Sequence, residues 1–387
     1  MTLSDICELI VDCPHSTAKD EGAGYPLIRT PNIGRGRLIL NDVHRVSKDI
    51  YDKRNARAIP QDDDLILARE APAGNVAIIK NGEQVCLGQR TVLIRPDKRK
   101  VYPDFLVYYI LAPQQQYELL GTANGATVAH VNIPVIKALP VELPAIEVQQ
   151  KAADILKAYD DLIENNQKQI KLLEEAAQRL YKEWFVDLRF PGYETTQQSE
   201  GIPDGWEIVK LSDIANVIMG QSPKSEFYNQ NKEGLPFHQG VGSYGNRFVR
   251  DETYSTSFTR IAEAGSILFS VRAPVGRLNI TKNKIVIGRG LSAMNHKDNL
   301  QSFLFYLLKE RFFKEDMVGN GSIFASISKD DLLGQTFMIP PRTLSEKYNS
   351  IAASLDKKIE VMDTQIGLLS EARDRLLPKL MSGEIEL

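Results

Sequence analysis

The positions of apolar residues predict two long helices, one in the middle of the chain and one at its end. In both stretches apolar side chains recur at steps of three and four residues, the spacing that builds one helix face. The first series is Ile155, Tyr159, Leu162, Asn166, Ile170, Leu173, Ala177 and Leu180, and the second is Ile351, Leu355, Ile359, Met362, Ile366 and Leu369. We predict helices over 146–186 and 342–387, with these faces forming a coiled-coil seam.

Two interpretations of the stripes are open. Each helix can pack against its own globular domain, or the two helices can pair with each other. Gln169–Ala176 and Gln365–Ala372 match at a constant offset of 196 residues, which favours pairing of two similar helices. Asn166 is a polar residue within the stripe, of the kind that fixes register in a coiled coil.

Comparison of the chain with itself indicates a tandem repeat. Short matches occur in the same order in both halves, with offsets between 196 and 208 residues. They are Leu3-Ser4-Asp5-Ile6 with Leu211-Ser212-Asp213-Ile214, Ala71-Pro72-Ala73-Gly74 with Ala273-Pro274-Val275-Gly276, Phe105-Leu106-Val107-Tyr108 with Phe303-Leu304-Phe305-Tyr306, and Asn124-Gly125 with Asn320-Gly321. Drifting offsets are expected if the loops differ in length.

Between the helices the pattern predicts two globular bodies, 1–145 and 206–341, of mixed α/β (α+β) class. Short apolar runs bounded by Asp, Gly and Pro predict strands, and 103–120 and 300–317 are predicted to be helical. The predicted strands are Leu65–Ala68, Asn75–Ile79, Thr91–Ile94, Ser266–Phe269 and Lys284–Ile287. Residues 187–205, rich in Gly, Pro, Thr and Gln, are predicted to form a polar linker.

Charge and composition narrow the function classes. The formal net charge of the 387 residues is −3, but it is unevenly distributed: 146–205 carries −5 and 206–341 carries +3. The predicted helix is therefore acidic, and the bodies can hold basic patches that meet phosphate. No apolar run is long enough to span a membrane. Three cysteines are too few for a disulfide framework, so we expect a cytoplasmic protein.

We find no constellation of residues that indicates an enzyme. There is no Gly-Lys dipeptide for a phosphate loop, and the five histidines lack metal-ligand spacing. The acid–spacer–lysine pattern of nucleases occurs as Asp356-Lys357-Lys358, on a predicted helix where a charge pair is the simpler interpretation. We therefore predict no catalytic residue, no metal and no cofactor.

Basic and amide side chains near glycine-rich turns are the candidates for ligand recognition. Arginine and asparagine or glutamine present planar donors that match guanine and adenine edges. The candidates are Arg29, Asn32, Arg35 and Arg37 in one loop, Gln89, Arg90 and Arg289 after matching strands, and Arg69 and Arg272 beside the two Ala-Pro-x-Gly turns. Each alone is more often a solvated charge, but recurrence in both halves favours a DNA-binding surface.

The sequence resembles the specificity subunit of type I restriction–modification systems. The resemblance covers essentially the whole chain and depends on the ends of the repeats. The matching segments are 143–150 (Leu-Pro-Ala-Ile-Glu-Val-Gln-Gln), Asp160–Asn165, Tyr181–Phe185 with Phe190-Pro191-Gly192, and Gly201–Trp206. The second copy departs at Leu344-Ser345-Glu346-Lys347, where the family has a Glu-Gln pair.

The resemblance implies two target recognition domains, 1–145 and 206–341, separated by two long antiparallel coiled-coil helices. Each domain would read one half of a bipartite, asymmetric site in double-stranded DNA. The partners would be two modification (methyltransferase) subunits and the restriction subunits, in which all catalysis resides. The coiled-coil positions Ile155, Leu162, Ile170, Leu173, Leu180, Ile359, Ile366, Leu369 and Leu376 would hold the helices and their partners.

Two other function classes stay open at the level of sequence. A non-catalytic coiled-coil adaptor would fit the helices but would not need the paired Arg and Gln loops. A DNA-modifying enzyme would require an active site that the sequence does not reveal. The first would not bind DNA even with modification subunits present, and the second would turn over DNA alone.

Overall fold

The computed structural model describes residues 1–121, 130–199, 201–312 and 326–387. Two 40-residue helices dominate it: the central helix, Ile146–Phe185, and the C-terminal helix, Arg342–Met381. A proline lies just before each helix, at Pro144 and Pro341. Proline lacks the N–H that a helix start leaves unpaired, so this position suits it. The two long helices predicted from the apolar stripes are confirmed.

The chain forms two compact units, and each long helix is divided between them. Unit 1 contains Met1–Asn166 and Thr364–Leu387, and unit 2 contains Gln167–Asp363. Each unit therefore holds one half of the central helix and one half of the C-terminal helix. The limits predicted for the separate domains and the linker stay a prediction.

Unit 1 contains a five-stranded sheet of order β1-β8-β5-β6-β3 and a three-stranded sheet of order β4-β2-β7. The strands are β1 (Cys7–Asp12), β2 (Tyr25–Ile28), β3 (Gly36–Arg37), β4 (Arg45–Val46), β5 (Leu65–Ala68), β6 (Val76–Ile78), β7 (Cys86–Leu87) and β8 (Thr91–Pro96). Its shorter helices are Lys48–Arg54, Pro103–Leu111, Pro113–Leu120 and Ile133–Ala138. Neighbouring strands are antiparallel except for the pairs β3–β6 and β2–β7.

Unit 2 repeats this plan. Its strands are β9 (Gln198–Ser199), β10 (Ile202–Pro203), β11 (Glu207–Lys210), β12 (Ala215–Met219), β13 (Tyr228–Asn229), β14 (Leu235–His238), β15 (Tyr254–Ser255), β16 (Ile261–Ala262), β17 (Ile267–Ser270), β18 (Leu278–Ile280), β19 (Ile285–Ile287), β20 (Leu291–His296) and β21 (Thr336–Ile339). Its shorter helices are Leu211–Ile214, Gln301–Phe312 and Lys329–Leu333. The order β12-β20-β17-β18 corresponds to β1-β8-β5-β6, and β15-β14-β19 corresponds to β4-β2-β7.

The two Ala-Pro-x-Gly turns show the same repeat in atomic detail. Both contain a cis Ala–Pro bond and a glycine at positive φ, Gly74 at +86° and Gly276 at +90°. The glycine N–H donates to Ala68 O at 2.9 Å in one turn and to Ser270 O at 3.0 Å in the other. A side chain would strain this backbone, which explains glycine at both sites. The predicted duplication and mixed α/β class are confirmed.

Two predicted elements differ in the structure. The helix predicted over 103–120 is two helices, because Ala112 before Pro113 takes an extended backbone with ψ of 146°. The helix predicted over 300–317 is described as far as Phe312. The rest of that segment, like the Asn124-Gly125 and Asn320-Gly321 match, lies outside the described residues.

The stretch predicted as a polar linker carries part of the core of unit 2. It contains the β9–β10 hairpin and the buried ring of Phe190, which lies 5.3 Å from the ring of Trp206. Trp184 and Phe185 at the end of the central helix belong to the same apolar cluster. These residues therefore attach the segment after the helix to unit 2.

Within each unit the two helix halves run antiparallel. In unit 1, Asn166 donates to Gln365 Oε1 at 3.2 Å, whereas Asp160 pairs with Arg373 at 2.6 Å. Residue numbers thus rise along one helix as they fall along the other. In unit 2, Arg247 reaches both Glu174 and Asp356, whereas the Tyr348 hydroxyl donates to Ala177 O at 3.0 Å. The predicted antiparallel arrangement is confirmed inside both units.

The seam in unit 1 differs from the predicted stripe. Leu156 and Ile163 of the central helix are buried, whereas the predicted seam residues Ile155 and Leu162 are 36% and 51% exposed. Asp160 explains the difference between the predicted and observed seams. It is buried at a seam position, but a polar residue does not contribute to an apolar pattern. The predicted stripe is therefore one residue too early at Ile155 and Leu162, whereas Asn166 is buried as the stripe requires.

The other predicted seam positions lie at or near the packed faces. Ile359 is fully buried in unit 2, as predicted. The half-buried positions are Ile170, Leu173, Leu180, Ile366, Leu369 and Leu376. In unit 2 the deepest packing comes from large rings instead, since Tyr181, Trp184 and Tyr348 form one aromatic cluster.

Candidate nucleic-acid interface

Three strand ends meet at one edge of the large sheet of unit 1. Asp12 ends β1, Arg69 follows β5, and Arg90 comes just before β8. Because β8 lies between β1 and β5 and is antiparallel to both, its start lies beside their ends. Sequence reasoning placed candidates here, and the structure brings Arg69, Gln89 and Arg90 together.

Arg69 is buried at this edge and makes several hydrogen bonds there. It is only 9% exposed, and its Nε donates to Val131 O at 2.9 Å. One terminal nitrogen lies 3.2 Å from the Asp12 carboxylate, and the other lies 2.7 Å from Nε2 of His130. These contacts engage all three guanidinium nitrogens of Arg69 inside the unit, and its predicted role in contacting DNA stays a prediction. Its acidic partner is 57 residues away in the sequence, so the sequence gives no local sign of the pairing.

Glu70 connects the buried network to the exposed surface, and sequence reasoning missed it. Its carboxylate accepts from Nδ1 of His130 at 2.5 Å and pairs with Arg90 at 2.9 Å. Arginine cannot accept a hydrogen bond, so Nε2 of His130 must be the acceptor toward Arg69 and Nδ1 must carry the proton. The side chain of Arg90 is 60% exposed, and Glu70 holds it at the edge.

Gln89 belongs to the same turn and attaches a neighbouring loop. Its amide nitrogen donates to the backbone oxygen of His15 at 2.8 Å. Its carbonyl oxygen keeps capacity to accept a further hydrogen bond. Gln89 thus fixes the segment after β1 beside the turn that carries Arg90.

The loop from Arg29 to Arg37 divides into internal and outward side chains. Asn32 is 5% exposed: its carbonyl oxygen accepts from the N–H of Arg29 at 3.2 Å, and its amide donates to Ile39 O at 3.2 Å. Arg29 itself is half-buried. Asn32 therefore shapes the loop, and its predicted role in contacting DNA stays a prediction.

Arg37 and Arg35 have different roles in this loop. Arg37 pairs with Asp161 and, at 2.6 Å, with Glu164, both on the central helix within unit 1. Burial opposes its charge, but the hydrogen bond and attraction from Asp161 raise the pKa of Arg37 above its usual range. Arg35 is exposed and reaches Leu111 O at 3.4 Å. Arg37 anchors the loop to the helix, and Arg35 stays available to a ligand.

Unit 2 builds the same edge with other side chains. The N–H of Arg69 donates to Arg90 O at 2.8 Å, and the N–H of Val271 donates to Gly290 O at 2.9 Å. Val271 therefore corresponds to Arg69, and the next residue, Arg272, corresponds to Glu70. The sequence comparison had placed Arg69 and Arg272 at matching sites, which is wrong by one residue.

Arg272 and Arg289 are both exposed in unit 2. The backbone N–H of Arg289 donates to the hydroxyl of Ser222 at 3.2 Å, and Ser222 follows β12 as His15 follows β1. Arg289 thus corresponds to Gln89. The edge of unit 2 presents two arginines where unit 1 presents a carboxylate and an amide.

A carboxylate links the body of each unit to its helices, buried in unit 1 and half-buried in unit 2, and sequence reasoning missed this as well. In unit 1, Asp160 accepts from the hydroxyl of Tyr108 at 2.7 Å and pairs with Arg373 at 2.6 Å. The Tyr108 pKa is raised, first by burial and then by Asp160. In unit 2, Asp356 accepts from the hydroxyl of Tyr306 at 3.0 Å. The 196-residue offset between the two aspartates was a usable signal.

Arg247 completes the carboxylate site of unit 2. It is 3% exposed, lies 2.6 Å from Asp356, and stacks over the ring of Phe305 at 3.6 Å. Burying a carboxylate is costly unless a cation and hydrogen bonds compensate it. The site therefore fixes the helices to the body of the unit.

Several apolar side chains on the long helices face outward. Leu162 and Leu172 of the central helix are 51% and 64% exposed, and Leu368 of the C-terminal helix is 62% exposed.

Residues 1–121, 130–199, 201–312 and 326–387 hold no group of three or more His, Cys, Asp or Glu side chains arranged to bind a metal ion. Over the same residues, no helix has the length and apolar character needed to cross a membrane.

Comparison with known proteins identifies relatives along the whole chain. The family model described as the type I restriction modification DNA specificity domain matches residues 1–175 and again 203–369. The MjaIX specificity subunit of a type I restriction enzyme from Methanocaldococcus jannaschii is 29% identical, over 100% of this chain and 93% of its own. The HindI specificity subunit from Haemophilus influenzae is 21% identical, over 93% of this chain and 95% of its own.

One solved structure has a similar fold. The type I restriction–modification S subunit from M. genitalium superposes with a TM-score of 0.60 at 16% identity, covering 98% of this chain and 95% of that one. The two matches of one family model agree with the two units that repeat the same sheet order.

Proposed function

Because the chain belongs to the type I restriction–modification DNA specificity family, we propose that its two units each read one half of a bipartite, asymmetric DNA site. The chain catalyses nothing itself; it brings modification and restriction subunits to the site. The observation that supports this proposal is one sheet edge built twice with different exposed side chains. Two similar edges with different donors and acceptors suit two different half-sites.

The accessible residues at these edges provide the chemistry for reading bases. In unit 1 these are exposed Arg35 and Arg90 with half-buried Gln89, and in unit 2 they are exposed Arg272 and Arg289. A guanidinium group can donate two hydrogen bonds to guanine, and a glutamine amide matches adenine. The buried or anchored residues Asn32, Arg37 and Arg69, with half-buried Arg29, support the loops that carry these side chains.

Base modification patterns test the proposal directly. Methylome sequencing of a host carrying this chain and its modification subunit gives the recognised site. Arg90→Ala should then relax one half of it and Arg289→Ala the other, each by about 1–3 kcal/mol of discrimination. Arg99 and Lys297 are exposed residues beyond the opposite ends of β8 and β20, so Arg99→Ala and Lys297→Ala are matched controls. A uniform loss of binding across all sequences would instead make Arg90 and Arg289 phosphate contacts.

We assign the outward apolar side chains of the long helices to the modification subunits. Leu162→Asp should abolish co-elution with the modification subunit in size-exclusion chromatography while the fold is kept, because Leu162 is half exposed. Asn165→Asp adds the same charge at an exposed position of the same helix and serves as the control. An intact complex with the Leu162 variant would show that the partners bind elsewhere.

We also propose that the protein acts in the cytoplasm, because its partners and its DNA target are there. The cysteines fit that location: Cys13 and Cys86 are buried free thiols, which a reducing compartment preserves.

A further inference from the structure

An exposed phenyl ring lies at the edge of unit 2 where the proposed function requires DNA. Phe258 is 52% exposed in the loop that follows β15. We propose that Phe258 contacts the 5-methyl group of a thymine in the half-site read by unit 2. This inference rests on the proposed function and adds a residue that determines specificity.

Hydrogen bonds place the loop of Phe258 beside the candidate arginine. The hydroxyl of Thr259 donates to Gln221 O, directly after the end of β12. The next residue, Ser222, accepts the N–H of Arg289 at 3.2 Å. Phe258, Gln221 and Arg289 therefore belong to connected loops at one edge of the sheet.

The core of this region is already filled by other rings. Tyr228 stacks on buried Phe237 with 4.6 Å between ring centres, and its hydroxyl donates to Pro223 O at 2.8 Å. Phe258 lies instead among exposed polar neighbours, including Thr256 and Arg260. An apolar ring in such a loop gains by meeting an apolar group of a ligand, because contact removes both from water.

Unit 1 differs at the matching position. The strand pairings place Val46 and Ser255 at equivalent sites, opposite Tyr25 and Leu235. Three residues further, unit 1 has exposed Asp49 in the helix Lys48–Arg54, whereas unit 2 has Phe258 in a loop. Two units that read different half-sites must differ at the residues that meet bases, and this pair differs in both charge and backbone.

Thymine is the base that this chemistry selects. Its 5-methyl group is the apolar feature that a base presents in the major groove, and phenyl rings are among the side chains that contact it. Neighbouring Arg289 and Arg260 are exposed cations that suit guanine edges or phosphates. Phe258 would therefore read an A·T pair next to the contacts made by arginine.

Deoxyuridine provides the test, because it lacks only the methyl group. The complex of this chain with its modification subunit is titrated with duplexes in which each thymine of the unit 2 half-site is replaced in turn. Wild type should lose affinity about tenfold at one position. Phe258→Ala should bind the thymine duplex about tenfold more weakly and bind thymine and uracil equally, whereas Phe258→Leu should keep part of the preference. Tyr117→Ala truncates a ring that is 76% exposed in unit 1 and should leave both affinities unchanged.

Other outcomes overturn the inference. Unchanged binding by Phe258→Ala, an equal loss on thymine and uracil duplexes, or a half-site without an A·T pair would each do so. Loss of the modification subunit with unchanged DNA preference would show that Phe258 meets protein instead. Failure of the wild-type complex to prefer any sequence would refute the proposed function, a result visible before the variant is tested.

Discussion

The two units place a cation beside an aspartate of a long helix in two different ways. In unit 1, the cation beside buried Asp160 is Arg373 from the C-terminal helix. In unit 2, the cation beside Asp356 is Arg247, from the loop that follows β14. The position of Arg247 corresponds to Gly36 in unit 1, where a Cβ would lie 3.7 Å from Asp160. The carboxylate and its tyrosine keep their places, whereas the compensating charge comes from a different element in each unit.

The sheet edges show the same division between framework and exposed groups. The backbone hydrogen bonds that position Glu70 in unit 1 position Arg272 in unit 2, so the charge at one site is reversed. The strand order is shared, and what differs is what each edge offers to a ligand. Selectivity for two half-sites can therefore be built on one framework.

The largest expected effect concerns the seam of unit 2. Tyr348 is fully buried, and its counterpart at the 196-residue offset in unit 1 is Ala152, also fully buried. Tyr348→Ala should lower the free energy of unfolding of unit 2 by about 3–5 kcal/mol, because it empties the centre of an aromatic cluster. Tyr348→Phe keeps the ring and should cost about 1 kcal/mol through the hydroxyl bond to Ala177. Hydrogen exchange of strand amides measures the stability of each unit separately. An equal loss of protection in β8 of unit 1 would contradict the assignment of Tyr348 to the core of unit 2.

The two cations beside the aspartates should differ in their effect on stability. Arg247→Ala should cost unit 2 about 3 kcal/mol, because it removes the cation beside Asp356 together with a buried guanidinium group that packs on the ring of Phe305. The side chain of Arg373 is 19% exposed, against 3% for Arg247, so Arg373→Ala should cost unit 1 about 1 kcal/mol. Urea unfolding followed by hydrogen exchange checks the order. A larger loss for the Arg373 variant would show that exposure does not decide the difference.

The smallest expected effect is on the salt dependence of DNA binding. Glu70→Gln should steepen the slope of log affinity against log salt by about 0.9, because it removes a negative charge that opposes the phosphates at this edge. Arg272→Gln should flatten it by about 0.9, because it removes a cation from the matching site. Titrations of the complex at several salt concentrations measure both slopes. Slopes that change in the same direction would refute the opposite roles of these two sites.

The sequence predicted the repeat because its signals are local. An Ala-Pro-x-Gly turn needs glycine at positive φ, so Gly74 and Gly276 mark the same turn in each half. The long helices were predictable for a similar reason, since their spacing persists along 40 residues. Their seam was not fully predictable, because Asp160 is a polar residue on the buried face.

The candidate site was predictable only in part. Glycine-rich turns pointed to the sheet edges where exposed Arg90 and Arg289 lie. The sequence could not separate these from Arg69, because burial of Arg69 depends on Asp12 and His130, which are 57 and 61 residues away. Glu70 was not predicted, because its role depends on its contacts with His130 and Arg90 and not on its residue type.

The division of each long helix between the units gives the chain an order of completion during synthesis. Unit 2 is continuous from Gln167 to Asp363, so a ribosome has supplied all of it when residue 363 is added. Unit 1 then still lacks Thr364–Leu387, which contributes Leu377 and Leu380 to its core. Because chains grow at about 5–20 residues per second, the second unit has all its residues a second or more before the first. The N-terminal half of this protein is thus the last part able to fold completely.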